Sequence, residues 1–149
     1  AFETPLPENY QILTPIKSGP WGVDAINQKC LALKPKNYPI IITKNDYELD
    51  LMNGEIGLLQ HPKAIFGDRE IPSILLSHYE PAFALSVHKS QGSEFDRVLL
   101  LLPDSTTFHR RLLYTAITRA KKEILLFGSR KALLSAIEES GERLSTIHI

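Results

Sequence analysis

Residues 98–102 read Val98-Leu99-Leu100-Leu101-Leu102 with no polar break. A strand with one wet face alternates apolar and polar side chains. An unbroken run therefore marks a strand covered on both faces, as in a parallel sheet. The segment Arg97 to Leu102 is predicted as such a strand, stopped by Pro103-Asp104. A second buried strand is expected from Glu123 to Phe127, closed by Gly128. Between them Phe108, Leu112, Leu113, Ala116, Ile117 and Ala120 form one apolar stripe. That stripe predicts a helix capped by Thr106 or Thr107 and running to about Lys121. Ser129 is expected to cap a last helix from Arg130 to about Ser140. Strand, helix and strand in this order belong to an α/β fold.

The first third supplies a matching half-unit. Ile12-Leu13 is a short strand ending at Thr14-Pro15. The loop Ile16-Lys17-Ser18-Gly19-Pro20-Trp21-Gly22 follows, then a helix from Gly22 or Val23 with Val23, Ile26, Cys30 and Leu33 at helical spacing. Ala82 to Val87 is expected to be a further strand of the same sheet.

The middle of the chain has a different rhythm. Ile40-Ile41-Ile42-Thr43 is short and β-branched, so it reads as a strand. Asn53-Gly54 lies between Glu48–Met52 and Glu55–Leu59, a hairpin signal because both turn residues accept positive φ. Gly67-Asp68 sits likewise between Ala64–Phe66 and Arg69–Ile71, and Ser73 to Leu76 is expected to add one more strand. Several short strands at close spacing predict a small antiparallel barrel or curled sheet from 38 to 79. The chain thus divides into an α/β part, residues 1–37 and 80–149, and an all-β insertion, residues 38–79.

A length of 149 residues is enough for one domain, or for a small domain carrying a smaller one. Seventeen basic residues balance seventeen acidic ones. A free-standing nucleic-acid binder shows a basic excess, so any such role here rests on a local patch or a partner. The single cysteine, Cys30, permits no internal disulfide, which fits a reducing, cytoplasmic setting. No apolar stretch approaches the roughly 20 residues that cross a bilayer, so no membrane partner is expected. The start, Ala1-Phe2-Glu3-Thr4-Pro5, has neither the features of a signal peptide nor an initiator methionine. It reads as a cut inside a longer chain.

Three segments hold side chains suited to chemistry. Ser86 to Phe95 gathers His88, Lys89, Ser90, Gln91, Ser93 and Glu94 around Gly92. It follows a predicted parallel strand, at the carboxyl edge where α/β sheets bind ligands. Lys89 can meet a phosphate as a compact charge, and Glu94 can accept hydrogen bonds from sugar hydroxyls. Alternatively, the segment is a solvated connecting loop. In Tyr114 to Lys122, Arg119 borders the apolar stripe, where it could lie under loops at the sheet edge and present its fork to phosphate. A solvated arginine near a helix end is the plainer alternative. The two glycines of Lys17 to Gly22 allow a turn near an anion, or simply join a strand to a helix.

No G-x-x-x-x-G-K-[ST] sequence is present, and no acidic pair suited to magnesium follows Leu102. The five histidines show no metal-ligand spacing, so no metal site is expected.

Together the three segments resemble the C-terminal motor domain of superfamily 1 DNA helicases, most of all the RecD type, the alpha subunit of exodeoxyribonuclease V. Ser86-Val87-His88-Lys89-Ser90-Gln91-Gly92-Ser93-Glu94-Phe95-Asp96 resembles motif V of that family. Leu113-Tyr114-Thr115-Ala116-Ile117-Thr118-Arg119-Ala120 resembles motif VI. Leu13-Thr14-Pro15 through Gly19, Gly22 and Asn27 resembles the region of motif IV. Ile42-Thr43-Lys44-Asn45-Asp46, with Met52-Asn53-Gly54-Glu55-Ile56-Gly57, is similar to the start of that group's SH3-like insertion.

The resemblance implies a RecA-like three-layer parallel sheet that lacks the P-loop and carries a small SH3-like insertion. It implies that Arg119 is an arginine finger for ATP hydrolysis. Glu94 would contact the nucleotide ribose, with Gln91 and Gly92 shaping that loop, and Lys17 would approach the phosphates. Ser86, standing where the family often has threonine, would touch single-stranded DNA with His88 and Lys89. Thr14, Thr43 and Asn45 are further DNA-side candidates. The implied partners are single-stranded DNA, an N-terminal RecA-like lobe of the same polypeptide and other subunits of an exonuclease V complex. ATP and Mg2+ would be bound mainly by that other lobe, leaving this piece inactive alone. A non-catalytic DNA- or protein-binding module, acting through the SH3-like insertion, is the alternative reading.

Overall fold

A computed structural model describes residues 10–103 and 110–128. Contacts cluster the chain into two units, one reaching to Asp24 and resuming at Ala84, the other Ala25–Phe83.

The first unit is built on four parallel strands in the order β7-β1-β8-β9: β1 Tyr10–Thr14, β7 Ala84–Ser86, β8 Phe95–Leu102 and β9 Ala120–Gly128. The apolar run that predicted a doubly covered strand is β8, with Val98, Leu100 and Leu101 fully buried. Its neighbour β1 is equally dry, with Ile12 and Leu13 buried. The helix α2, Arg110–Ile117, buries Leu113 and Ala116. It is shorter than its sequence stripe. Phe95 N–H donates to the Arg119 carbonyl at 2.7 Å, which draws Ala120 into β9. Pairing with β8 thus ends the helix at Ile117, not near Lys121. The expected caps Thr106 and Thr107, Phe108, and the final helix with its Ser129 cap lie outside the described residues.

Helix α1, Val23–Ala32, starts where the spacing predicts, with Asp24 in its first turn and Lys29 in its last, as the helix dipole favours. Lys34 at φ 52° ends it, followed by Pro35, which cannot continue a helix.

The second unit holds a five-stranded antiparallel sheet, ordered β5-β4-β3-β2-β6. Its strands are β2 Tyr38–Ile42, β3 Ile56–Gln60, β4 Lys63–Phe66, β5 Arg69–Pro72 and β6 Tyr79–Pro81. Ile40, Leu51, Leu59, Ala64, Phe66 and Ile71 form its core. The Gly67-Asp68 hairpin forms as expected, joining β4 to β5. Three expectations fail. The Asn53-Gly54 turn exists, closed by Glu55 N–H to the Met52 carbonyl at 3.0 Å, but it does not join two strands. Only Gly54 takes positive φ, so the primed turn that aligns a hairpin is not formed. β3 pairs with β2 instead, while Glu48–Met52 belongs to a turn clasped between Asp46 and Leu51. Arg69 holds that turn from β5, donating to the Leu49 and Asp50 carbonyls. Ser73–Leu75 coils into a 3-10 turn rather than a strand, because Leu76 N–H closes on the Ser73 carbonyl. The expected strand Ala82–Val87 shrinks to β7, since Ala82 N–H is bound to the Pro39 carbonyl of the antiparallel sheet.

Candidate nucleotide and DNA site

The candidate residues of the first unit fall at two edges of the parallel sheet. Thr14 and Ser86 are register partners at the carboxyl ends of β1 and β7. Phe95 and Ala120 are partners at the amino ends of β8 and β9. Leu13 pairs with Leu100, so Thr14 stands six strand residues beyond Phe95, about 20 Å at roughly 3.3 Å per residue. Residues 87–94 carry the chain between these edges, a short path for a parallel crossover, which usually takes a dozen residues or more.

That crossover is a coiled turn fixed by its own hydrogen bonds. Ser86 Oγ accepts from Lys89 N–H at 3.1 Å, Gln91 N–H donates to His88 and Ser93 N–H to Ser90. Ser90 is fully buried, and its hydroxyl donates to the Val87 carbonyl at 2.5 Å. Gly92 sits at φ +83°, where a side chain is strained. His88, Lys89, Gln91, Gly92 and Glu94 are exposed around this frame. Sequence reasoning gave Ser90 no role; a small hydroxyl amid longer polar side chains was the available signal.

At the carboxyl edge the Thr14 side chain is fully buried, and its hydroxyl donates to the Trp21 carbonyl at 2.8 Å. It braces the loop Pro15–Gly22. The loop also spends its carbonyls on the start of α1. Val23 N–H donates to Ile16 at 3.1 Å and Asp24 N–H to Lys17 at 3.1 Å. Two of the first-turn donors that would cradle an anion are thus already engaged. A Cβ on Gly22 would fall 2.5 Å from the Lys17 carbonyl oxygen, so this close return needs glycine. Lys17 itself is exposed at this edge, and Trp21 stacks on Phe127 with ring centroids 5.4 Å apart.

Arg119 lies at the opposite edge. The sequence left open which sheet edge it borders; α2 runs back from the carboxyl end of β8, so the residue after it returns to the amino edge. Its Nη1 donates to the Ser93 carbonyl at 3.2 Å and its Nη2 to Thr118 Oγ1 at 3.3 Å. Its Nε is buried with no hydrogen-bond partner. Two acids at this edge are otherwise engaged, Glu123 with Arg97 at 3.3 Å and Asp96 with Lys122 at 3.8 Å, while Glu94 is exposed beside Phe95. Tyr10 also donates toward Glu123, which raises the phenol above its ordinary value, with desolvation adding to the rise. Among the described residues Arg119 has no carboxylate partner. A guanidinium held by a carbonyl and a hydroxyl, with one N–H buried and unused, suits an oxyanion arriving from outside.

Thr43 and Asn45 belong to the second unit. Thr43 N–H donates to the His78 carbonyl at 3.1 Å. Asn45 is exposed, and its Oδ1 accepts from Asn53 N–H at 2.7 Å, bracing the Asn53-Gly54 turn. Among the described residues no three His, Cys, Asp or Glu side chains gather to hold a metal. No helix there is long and apolar enough to cross a membrane.

Residues 81–127 match the UvrD-like helicase C-terminal domain. The chain is 36% identical over 152 residues to the RecBCD enzyme subunit RecD of Haemophilus influenzae, covering 91% of this chain and 24% of that protein. It is 33% identical to the same subunit of Mycolicibacterium smegmatis, covering 91% and 28%. It is 30% identical to the ATP-dependent RecD2 DNA helicase of Deinococcus radiodurans, covering 94% and 23%. The chain thus spans about a quarter of the length of these relatives. Among solved structures, the Pif1 helicase from Bacteroides with ADP-AlF3 and ssDNA matches in fold. Its TM-score is 0.62 at 17% identity, over 89% of this chain and 44% of that one.

Proposed function

This chain belongs with the C-terminal domains of RecD-type superfamily 1 helicases, and from that premise we propose that it is the second lobe of an ATP-dependent DNA helicase, supplying Arg119 to a nucleotide bound chiefly by another lobe. The observation that carries this reading is Arg119 itself, a cation with a buried, unused Nε–H and no carboxylate partner among the described residues.

In this account ATP bound with Mg2+ supplies the phosphoanhydride that is cleaved, and the residues here complete its pocket. Arg119 turns its free N–H groups to the γ-phosphate and stabilises charge as the bond breaks. Glu94 accepts from the ribose hydroxyls, with Gln91 and Gly92 setting the loop. Lys17, on the loop after β1 at the carboxyl edge, stands across the sheet from Arg119 and is left out of this pocket. At the other edge Ser86, His88 and Lys89 grip the backbone of single-stranded DNA without reading bases. Thr14 holds the adjoining loop in shape, and Thr43 and Asn45 extend the track on an SH3-like insertion at 38–79. Coupled closing of two lobes moves the strand. The partners are then single-stranded DNA, the N-terminal lobe and, in an exonuclease V assembly, further subunits. The chain alone hydrolyses nothing. The test is Arg119→Ala in the full-length polypeptide. Nucleotide binding is retained and DNA-stimulated hydrolysis is lost; near-normal turnover removes Arg119 from the role.

A further inference from the structure

We propose that Ser90 and Thr118 are positioning residues for Arg119, Ser90 by fixing the turn whose Ser93 carbonyl holds the guanidinium, and Thr118 by holding it directly through its hydroxyl. This rests on the role given above to Arg119. Ser90 touches neither the nucleotide nor the DNA in this account, yet among the described residues it is one of two polar residues, with Thr14, that are fully buried. Its hydroxyl and its amide are both spent inside the turn, the amide reaching the Ser86 and Val87 carbonyls at 3.2 Å each. The Ser90 backbone carbonyl in turn accepts the Ser93 N–H at 3.0 Å, so the hydroxyl, by fixing Ser90 on the Val87 carbonyl, orients the peptide that leads to the Ser93 oxygen on Arg119.

Thr118 works from the other side. Its hydroxyl donates to the Thr115 carbonyl at 2.9 Å and so turns its lone pairs toward Arg119 Nη2. The two anchors leave the Nε–H and one hydrogen on each terminal nitrogen for an incoming anion. The turn also links the DNA-side residue to the finger. Ser86 binds Lys89 and Ser90, Ser90 binds Ser93, and Ser93 binds Arg119. A displacement of an ångström in a reacting group can cost about a hundredfold in rate, so loosening either anchor falls on turnover rather than on binding.

The test uses the full-length polypeptide, with ATP and a single-stranded oligonucleotide as ligands. Ser90→Ala and Thr118→Val are each expected to lower DNA-stimulated kcat about tenfold, an intermediate misplacement. KM for ATP and the oligonucleotide concentration for half-stimulation stay within about twofold, because neither residue binds those ligands. Each change added to Arg119→Ala lowers kcat no further, since both act through that residue. Thr118 is exposed, so its variant is expected to fold even if Ser90→Ala does not, and Ser90→Cys retains a weak donor in the buried position. Two results overturn the proposal while leaving Arg119 in place: kcat unchanged in both Ser90→Ala and Thr118→Val, or losses that multiply with that of Arg119→Ala. An Arg119→Ala variant with normal kcat overturns it by a different route, because the finger role itself has then failed.

Discussion

Replacing Arg119 by alanine should separate catalysis from stability; the structure supplies the stability terms and the general worth of an arginine finger supplies the catalytic one. On the stability side two effects oppose. The hydrogen bonds to Ser93 and Thr118 are long, 3.2 and 3.3 Å, and their loss costs at most about 0.5–1.5 kcal/mol each. The buried Nε that lacks a partner carries a penalty of about 1–3 kcal/mol, which disappears with the side chain. The net is close to zero, within about 1 kcal/mol, and the unfolding midpoint should move by no more than about 4 °C. On the catalytic side an arginine finger is worth about 10³–10⁵ in rate. That is roughly 4–7 kcal/mol at 1.36 kcal/mol per decade. The assay is steady-state ATP hydrolysis by the full-length polypeptide at saturating single-stranded DNA, with thermal unfolding and nucleotide binding measured on the same preparations. Arg119→Lys should resemble alanine in rate, because an ammonium keeps the charge but not the fork. Turnover within tenfold of wild type refutes the reasoning. So does a rate loss accompanied by a fall of many degrees in the midpoint, which would make Arg119 a structural residue.

Three further outcomes follow from the packing. Gly22→Ala places its Cβ 2.5 Å from the Lys17 carbonyl oxygen and should cost about 1–3 kcal/mol in denaturant unfolding. Leu100→Ala, at a fully buried position of β8, should cost about 2–5 kcal/mol, while Leu58→Ala, 36% exposed, should cost far less in the same titration. Burial pushes the Cys30 thiol above its ordinary value. Its native-state modification by a thiol reagent should therefore rise with pH along a curve displaced upward from that of the unfolded chain. The sign for stability follows: the unfolded chain loses this proton first, so the contribution of Cys30 falls as pH rises above the ordinary thiol range.

The parallel sheet was legible because burial on both faces leaves an unmistakable trace at Val98–Leu102. The helix after the Gly22 loop was legible in part: Ile26 is buried as the spacing expects, but Leu33 lies beyond Ala32 and is 80% exposed. The antiparallel unit was less so. Glu48–Met52 carries apolar side chains at Leu49, Leu51 and Met52, but Arg69, distant in sequence, holds it as a turn. No local pattern announces that contact. The end of α2 was misjudged because apolar periodicity continues through Ala120, whereas a strand partner, Phe95, claims the chain first. For the site, the motif strings named candidate residues without their placement in the sheet. What they did not convey was that Ser86 and Arg119 stand at opposite edges, or that a buried serine joins them.

In this reading the chain completes a nucleotide site that it does not possess alone. The most direct measurement compares ATP hydrolysis by the isolated chain and by the full-length polypeptide, each with saturating single-stranded DNA. The account predicts DNA-stimulated turnover in the full-length protein and none above background in the isolated chain; DNA-stimulated hydrolysis by the isolated chain would contradict it.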